Sequence, residues 1–367
     1  MKRREFIQAA ISSTALAGCS SARFNHRYSE PKKVYEPLTI KNLTIPNRIV
    51  FPAITTNYAD DEGFVTERII NFHQCVADGG VGLSIIGATP IRKDWRLLPN
   101  VQVLDDDKYI EGFKKLLDSI KQNGSMTCIQ LIHSGEQISS SEKEVEELVI
   151  CFAEAAYRAK MAGADMIELN CASRYIIGGF LSPLSNKRND KYGGSIENRT
   201  RFVREVLGET KKKVGENYPI CCKISADEFA DEGITIEKSR ENAQILVDSG
   251  VDAIQIAAGS LYESRYSKIP TKEQGRRCYA YLAREIKDAV DIPVIAVGNI
   301  LDLIDAEIVL YDGDADMVAM GRALIADPYL IAKTIEGKTN AINGCIQCRS
   351  CLNTLGKGLS CSVNINL

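Results

Sequence analysis

Three polar side chains close an otherwise apolar run, with Asn170, Ser173 and Tyr175 following Met166–Leu169. A buried strand that ends in an amide, a hydroxyl and a phenol reads as a barrel strand opening onto a site. Gln130 stands alone in the apolar run Cys128–Ile132, and a buried amide of this kind needs a partner. Lys223 emerges from Cys221–Ser225, where a cation with no anion beside it would be costly. Near the C-terminus Cys345, Cys348, Cys351 and Cys361 are spaced C-x2-C-x2-C-x9-C. Four thiolates so spaced suit a cubane iron–sulfur cluster or tetrahedral zinc. Disulfides are the alternative in an oxidising compartment, although the tight first three cysteines disfavour two clean bridges.

These residues need a scaffold, and the chain supplies a regular one. Apolar runs of strand length recur at Ile49–Pro52, Leu83–Ile86, Cys128–Ile132, Met166–Leu169, Ile220–Ile224, Ala253–Ile256, Val294–Val297 and Met317–Met320. Helical patterns such as Thr66–Asp78, Tyr109–Gln122, Glu142–Ala162, Ile236–Asp248 and Leu301–Tyr311 fall between them. Eight strand–helix alternations without hairpins between them predict parallel strands closed into a (βα)8 TIM barrel. No Gly-x-Gly-x-x-Gly turn follows the first strand to favour an open doubly wound sheet. Leu38–Leu43 is expected to form a short entry hairpin. At 367 residues, 45% hydrophobic and 25% charged, the chain suits one large α/β barrel domain. A net charge of −3 with no broad basic patch excludes a nucleic-acid surface.

In a barrel of this kind chemistry sits at the C-terminal strand ends. The loops after strands seven and eight, Gly298-Asn299 and Gly321-Arg322, match the usual barrel phosphate site, where backbone N–H groups and an arginine fork receive an anion. From Tyr175 onward a long loop is expected, reaching a helix that starts at Glu197-Asn198-Arg199. Loops of that length inside a compact domain are usually functional.

That loop also carries a resemblance. The stretch FLSPLSNKRNDKYGGSIENRTRF, from Phe180 to Phe202, closely resembles the segment after the fourth barrel strand in the old yellow enzyme, or NADH:flavin oxidoreductase, family. Other family-like blocks lie in order from Pro37 to the C-terminus, and the layout resembles the barrel domain of the 2,4-dienoyl-CoA reductase type. The resemblance implies an FMN-dependent oxidoreductase. It implies that Pro52, Ala53, Thr55 and Ala88 approach the isoalloxazine ring and that Gln130 bonds its pyrimidine. Lys223, where the family usually has arginine, would lie beside the flavin N1–O2 edge. Gly298, Asn299, Gly321 and Arg322 would hold the FMN phosphate. His133 falls on a family motif and reads equally as a structural histidine or a ligand contact.

Tyr175 matches the family tyrosine that protonates the carbon α to the activating group. Two departures stand beside it. Asn170 and Ser173 occupy the positions of a His/His or His/Asn pair, so they can donate hydrogen bonds without the charge of an imidazolium. The connection from His133 to the helix near Ser141 is also short, which predicts a less covered flavin face. Relatives with four cysteines in the C-terminal region hold a 4Fe-4S cluster there, with slightly wider spacing, so Cys345, Cys348, Cys351 and Cys361 are expected to hold one, with zinc as the alternative.

The N-terminus reads as an address. Arg3-Arg4-Glu5-Phe6-Ile7 resembles a twin-arginine signal, Ala9–Ala17 is a short apolar stretch, and Leu16-Ala17-Gly18-Cys19 resembles a lipoprotein box with Cys19 lipidated. The expected organisation is signal 1–18, tether 19–36, FMN barrel 37–335 and cysteine-rich extension 336–367. The expected protein is exported and lipid-anchored, in the periplasm or at the cell surface. It would reduce an activated alkene or similar organic acceptor by hydride transfer from flavin N5. The chain ends six residues after Cys361, so electrons are expected from a separate membrane-linked or cytochrome-type donor through the cluster. The alternatives are an amine dehydrogenase or demethylase and a non-catalytic electron-transfer flavoprotein.

Overall fold

The computed structural model describes residues 31–134, 138–172, 175–259 and 269–366. Eight parallel strands close into a barrel in the order β10-β3-β4-β5-β6-β7-β8-β9, preceded by a two-stranded antiparallel hairpin. The hairpin is β1 (Leu38–Ile40) with β2 (Leu43–Ile45). The barrel strands are β3 (Ile49–Phe51), β4 (Leu83–Pro90), β5 (Met126–Ile132), β6 (Met166–Cys171), β7 (Ile220–Asp227), β8 (Ala253–Ala258), β9 (Val294–Ala296) and β10 (Met317–Ala319). The (βα)8 fold expected from the sequence is therefore present, and each expected strand core lies within one or two residues of its place.

The strands are buried on both faces, as parallel strands under a shell of helices must be. Inside the barrel Val50, Ile85, Cys128, Met166, Cys221, Ala253, Ile295 and Met317 pack together, and Ile40 and Ile45 of the hairpin join them. A second, larger apolar layer fills the space between the strands and helices such as Glu67–Asp78, Ile110–Lys121, Glu142–Met161 and Arg201–Val214. The barrel interior thus changes character along its axis. One apolar layer lies below, and two residues further along each strand stand Gln130, Glu168, Lys223 and Gln255.

The segment after β6 differs from the loop expected. Tyr175 starts a six-residue helix, Ile176–Leu181, whose residues are all buried. Its length is too short to show a period in the sequence, and its glycines serve close packing: a Cβ on Gly179 would lie 2.5 Å from Ile138 Cδ1. The stretch that follows is held by side chains bonded to main chain. Asn186 Nδ2 donates to the carbonyls of Phe180 and Tyr192, at 2.7 and 2.8 Å. Arg188 Nη1 donates to Ile138 and Ser140 carbonyls at 2.6 Å. The helix expected near Glu197 is a short turn, Ile196–Arg199, before the longer helix Arg201–Val214.

Beyond helix Leu330–Ile335 the chain returns across the C-terminal mouth of the barrel. The Leu359 amide donates to the Thr56 carbonyl at 2.8 Å, and the Tyr58 hydroxyl donates to the Leu359 carbonyl. Asn364 reaches the Ile325 carbonyl at 3.0 Å. Among the described residues no helix is long and apolar enough to cross a membrane.

Candidate active site

A cavity of about 290 Å³ opens at the C-terminal ends of the strands. Pro52, Ala53 and Thr55 line it after β3, Ala88 on β4, Gln130 on β5, Asn170 on β6 with Tyr175 beyond it, and Lys223 on β7. Gly298, Asn299, Gly321 and Arg322 complete its wall. Twelve of the expected site residues are thereby brought into one cavity. Ser173 lies outside the described residues.

The polar residues are organised in two registers. Gln130 lies opposite Glu168, and one step higher Asn170, Lys223 and Gln255 are neighbours across β6, β7 and β8. Gln130 Nε2 donates to Glu168 Oε1 at 2.6 Å, and its carbonyl accepts from Asn170 Nδ2 at 3.2 Å. Asn170 Oδ1 accepts in turn from the Ala172 amide at 3.1 Å. The partner that Gln130 required is therefore protein, a buried carboxyl. Glu168 is fully enclosed, and burial pushes its carboxyl above the ordinary carboxylate range, opposed by Lys223 and by hydrogen bonds from Gln130 and Cys221. Lys223 itself has no hydrogen-bond or ion-pair partner within such distance among the described residues.

Thr55 Oγ1 accepts from the Ala88 amide at 3.4 Å, which leaves the threonine hydroxyl proton to donate. Close approach of β3 to β4 depends on Gly87, where a Cβ would meet Ala53 Cβ at 2.6 Å. Tyr175 follows β6 and pairs across a single bridge with Ser134. Burial raises its phenol to about 12, so it is protonated throughout the physiological range. His133 is absent from the cavity wall. Its ring stacks on Trp95 at 4.9 Å, Nδ1 is 2.9 Å from the Ser134 carbonyl oxygen, and burial lowers it to about 4. Its Nε2 is buried without a partner among the described residues, so both readings of His133 stand.

At the other end Asn299 orients Arg322. Asn299 Nδ2 donates to the Thr271 and Gly275 carbonyls at 2.7 and 2.8 Å. Its Oδ1 is thereby turned toward Arg322, whose Nη2 donates to it. Arg322 Nη1 is buried without a partner among the described residues. A guanidinium held on one side and open on the other is prepared for an anion.

Sequence reasoning passed over Gln255, whose side chain lies in the cavity wall with both amide atoms unpaired among the described residues. It named Cys351 as a metal ligand but did not place the tail at this cavity, whose wall includes Cys351, Leu352 and Leu359. An amide inside the apolar run Ala253–Ala258 was the available signal for the first. The second depends on a tertiary return that no local pattern encodes. The openness expected after β5 rests on residues 135–137, outside the described residues.

A family model described as NADH:flavin oxidoreductase / NADH oxidase family matches residues 33–143 and 139–340. The chain belongs to that family. It is 41% identical over 340 residues to an NADH oxidase of Thermoanaerobacter brockii, covering 84% of this chain and 52% of that protein. It is 34% identical over 332 residues to an NADPH dehydrogenase of Bacillus subtilis strain 168, covering 84% and 96%. A solved structure of 2-naphthoyl-CoA reductase with 2-naphthoyl-CoA superposes with a TM-score of 0.87 at 26% identity, covering 91% of this chain and 57% of that one. The chain thus spans about half the length of some relatives and nearly all of another. The expected family and the coarse class of FMN-dependent oxidoreductase are borne out.

The residues fit FMN. A buried guanidinium N–H and a buried amide stand without partners in the cavity wall, and two cations, Lys223 and Arg322, line it. All four cysteines are free thiols, and Cys345, Cys348 and Cys361 all lie near Cys351. Among the described residues no three metal-binding side chains are drawn together at ligating distance.

Proposed function

We propose that this chain is a flavin-dependent reductase of an activated alkene or a similar organic acceptor. The observation that carries it is the placement of a protonated phenol, Tyr175, in the wall of the cavity that also holds Lys223 and the donor amides. FMN, when bound, supplies the hydride chemistry. Lys223 offers positive charge to the electron-rich edge of a reduced ring, and Arg322 with Asn299 anchors the phosphate. Asn170 can donate a hydrogen bond to an acceptor's carbonyl oxygen, and Tyr175 returns a proton from its hydroxyl. Neutral donors in place of imidazolium favour an acceptor already activated by its own substituents.

Cys345, Cys348, Cys351 and Cys361 would hold a 4Fe-4S cluster, with zinc as the alternative. The cluster would supply electrons from a separate membrane-linked or cytochrome-type donor. Four free thiols support this, and so does the place of Cys351 in the cavity wall. The reading extends to export and to lipid anchoring at Cys19, which lies outside the described residues. Fractionation of cells grown with labelled palmitate tests that part: label on a chain carrying Cys19→Ala would sink it.

The central test is anaerobic purification from the native signal, followed by flavin and iron assays and turnover with an activated alkene. Flavin-bound protein that reduces the alkene supports the proposal. Oxidation of an amine without alkene reduction would replace it with a dehydrogenase, and flavin reduction with neither turnover would leave an electron carrier. Rapid reduction by low NADH would remove the separate donor.

A further inference from the structure

Four side-chain amides line the cavity: Gln130, Asn170, Gln255 and Asn299. Three of their carbonyl oxygens are already engaged. Gln130 accepts from Asn170, Asn170 from the Ala172 amide, and Asn299 from Arg322. Gln255 alone has a carbonyl oxygen that accepts nothing, and its amide nitrogen is open too among the described residues. The residue is 0% exposed, so water outside the protein satisfies neither atom. It sits beside Lys223 in the same register of the barrel, on the strand after the one that carries the cation.

A buried amide with both ends open is costly unless something in the cavity meets it. The complement of an amide is another amide-like edge, with an N–H beside a carbonyl. The pyrimidine ring of a flavin presents that pattern, an imide N–H flanked by carbonyl oxygens. Lys223 is a donor only and cannot meet the imide N–H. Gln130 has one amide N–H left, and its carbonyl oxygen already accepts from Asn170. Gln255 is the one amide of the four with neither end engaged.

We propose that Gln255 is a flavin-binding residue whose carbonyl accepts the imide N–H of the pyrimidine ring while its amide N–H donates to the adjacent carbonyl. This rests on the reading that the cavity holds FMN. It reassigns part of the pyrimidine recognition expected of Gln130 to the next-but-two strand of the barrel.

The test compares FMN with its N3-methyl analogue, which lacks the imide N–H, on apo-protein by fluorescence titration. Wild-type protein is expected to bind the methylated analogue about tenfold more weakly, the equivalent of one lost hydrogen bond. Gln255→Leu is expected to bind FMN more weakly by a similar factor and to discriminate little between the two. Gln255→Glu keeps an acceptor and serves if the leucine variant fails to fold; it should retain the discrimination. Gln255→Leu that binds FMN as wild type does, or that still rejects the analogue, overturns the proposal and leaves the amide to an internal water. Wild-type protein that binds neither flavin overturns the cofactor reading instead.

Discussion

Gln130 and Glu168 face each other across β5 and β6 with 2.6 Å between the amide nitrogen and the carboxyl oxygen. Because the same Gln130 also accepts from Asn170, its amide has one orientation, with its remaining N–H available to the cavity. Glu168 is therefore a positioning residue. Burial is the main cause that raises its carboxyl, and the folded state prefers the neutral form. The sign follows: the unfolded chain releases the proton first, so the wild type loses stability as pH rises above the ordinary value of 4.5 toward the raised one. Glu168→Gln cannot titrate. Melting curves at several pH values should show the wild type declining relative to the variant from about pH 4.5 upward. A constant difference across that range would refute this account.

Tyr175 holds its proton because burial raises its phenol to about 12. Its donor role should therefore leave no break in the pH–rate profile below pH 10 or so. Tyr175→Phe should slow acceptor reduction on the order of a hundredfold, with reduction of bound flavin unchanged. Stopped-flow separation of the two half-reactions decides the point. Equal slowing of both would assign Tyr175 to packing.

Arg322 and Asn299 act as a pair, so their variants should rank. Arg322→Ala removes a charge-assisted bond to an anion and should weaken FMN binding by about ten- to a hundredfold. Arg322→Lys keeps charge but loses the fork, and should fall between. Asn299→Ala leaves Arg322 intact but frees it from the orientation set through Thr271 and Gly275, so a smaller loss is expected. Riboflavin, which lacks the phosphate, should bind all four proteins alike. A riboflavin affinity that tracks that of FMN would remove the phosphate assignment.

What the sequence revealed and what it hid have distinct physical reasons. Strand cores such as Leu83–Ile86 and Ile220–Ile224 were legible because parallel strands buried on both faces are continuous apolar runs. Lys223 and Gln130 stood out as polar exceptions within such runs. The most recognisable stretch, Phe180 to Phe202, proved to be a scaffold whose polar atoms largely bond main chain. Asn186 and Arg188 illustrate this. Gln255 was equally visible as an exception, yet its meaning came only from seeing which neighbouring amides were already paired. The return of Leu359 onto Thr56 and Tyr58 joins positions about three hundred residues apart, and no local pattern records such a contact.

That return bears on the cysteines. Cys351 reaches the cavity wall because the segment around it is fastened on both sides, by Asn343 to Asp327 at 2.8 Å and by Leu359 to Thr56 at 2.8 Å. Gln347 and Arg349, between the cysteines, both adopt left-handed backbone, with φ of 58° and 63°. Non-glycine residues hold that conformation when the surrounding structure imposes it. If the imposed turn serves a cluster, anaerobic protein should carry about four irons per chain. Each single Cys→Ser change at 345, 348, 351 or 361 should lower the iron while FMN content stays at the wild-type level. Zinc in place of iron, or metal content indifferent to these changes, would make the tail a structural clasp.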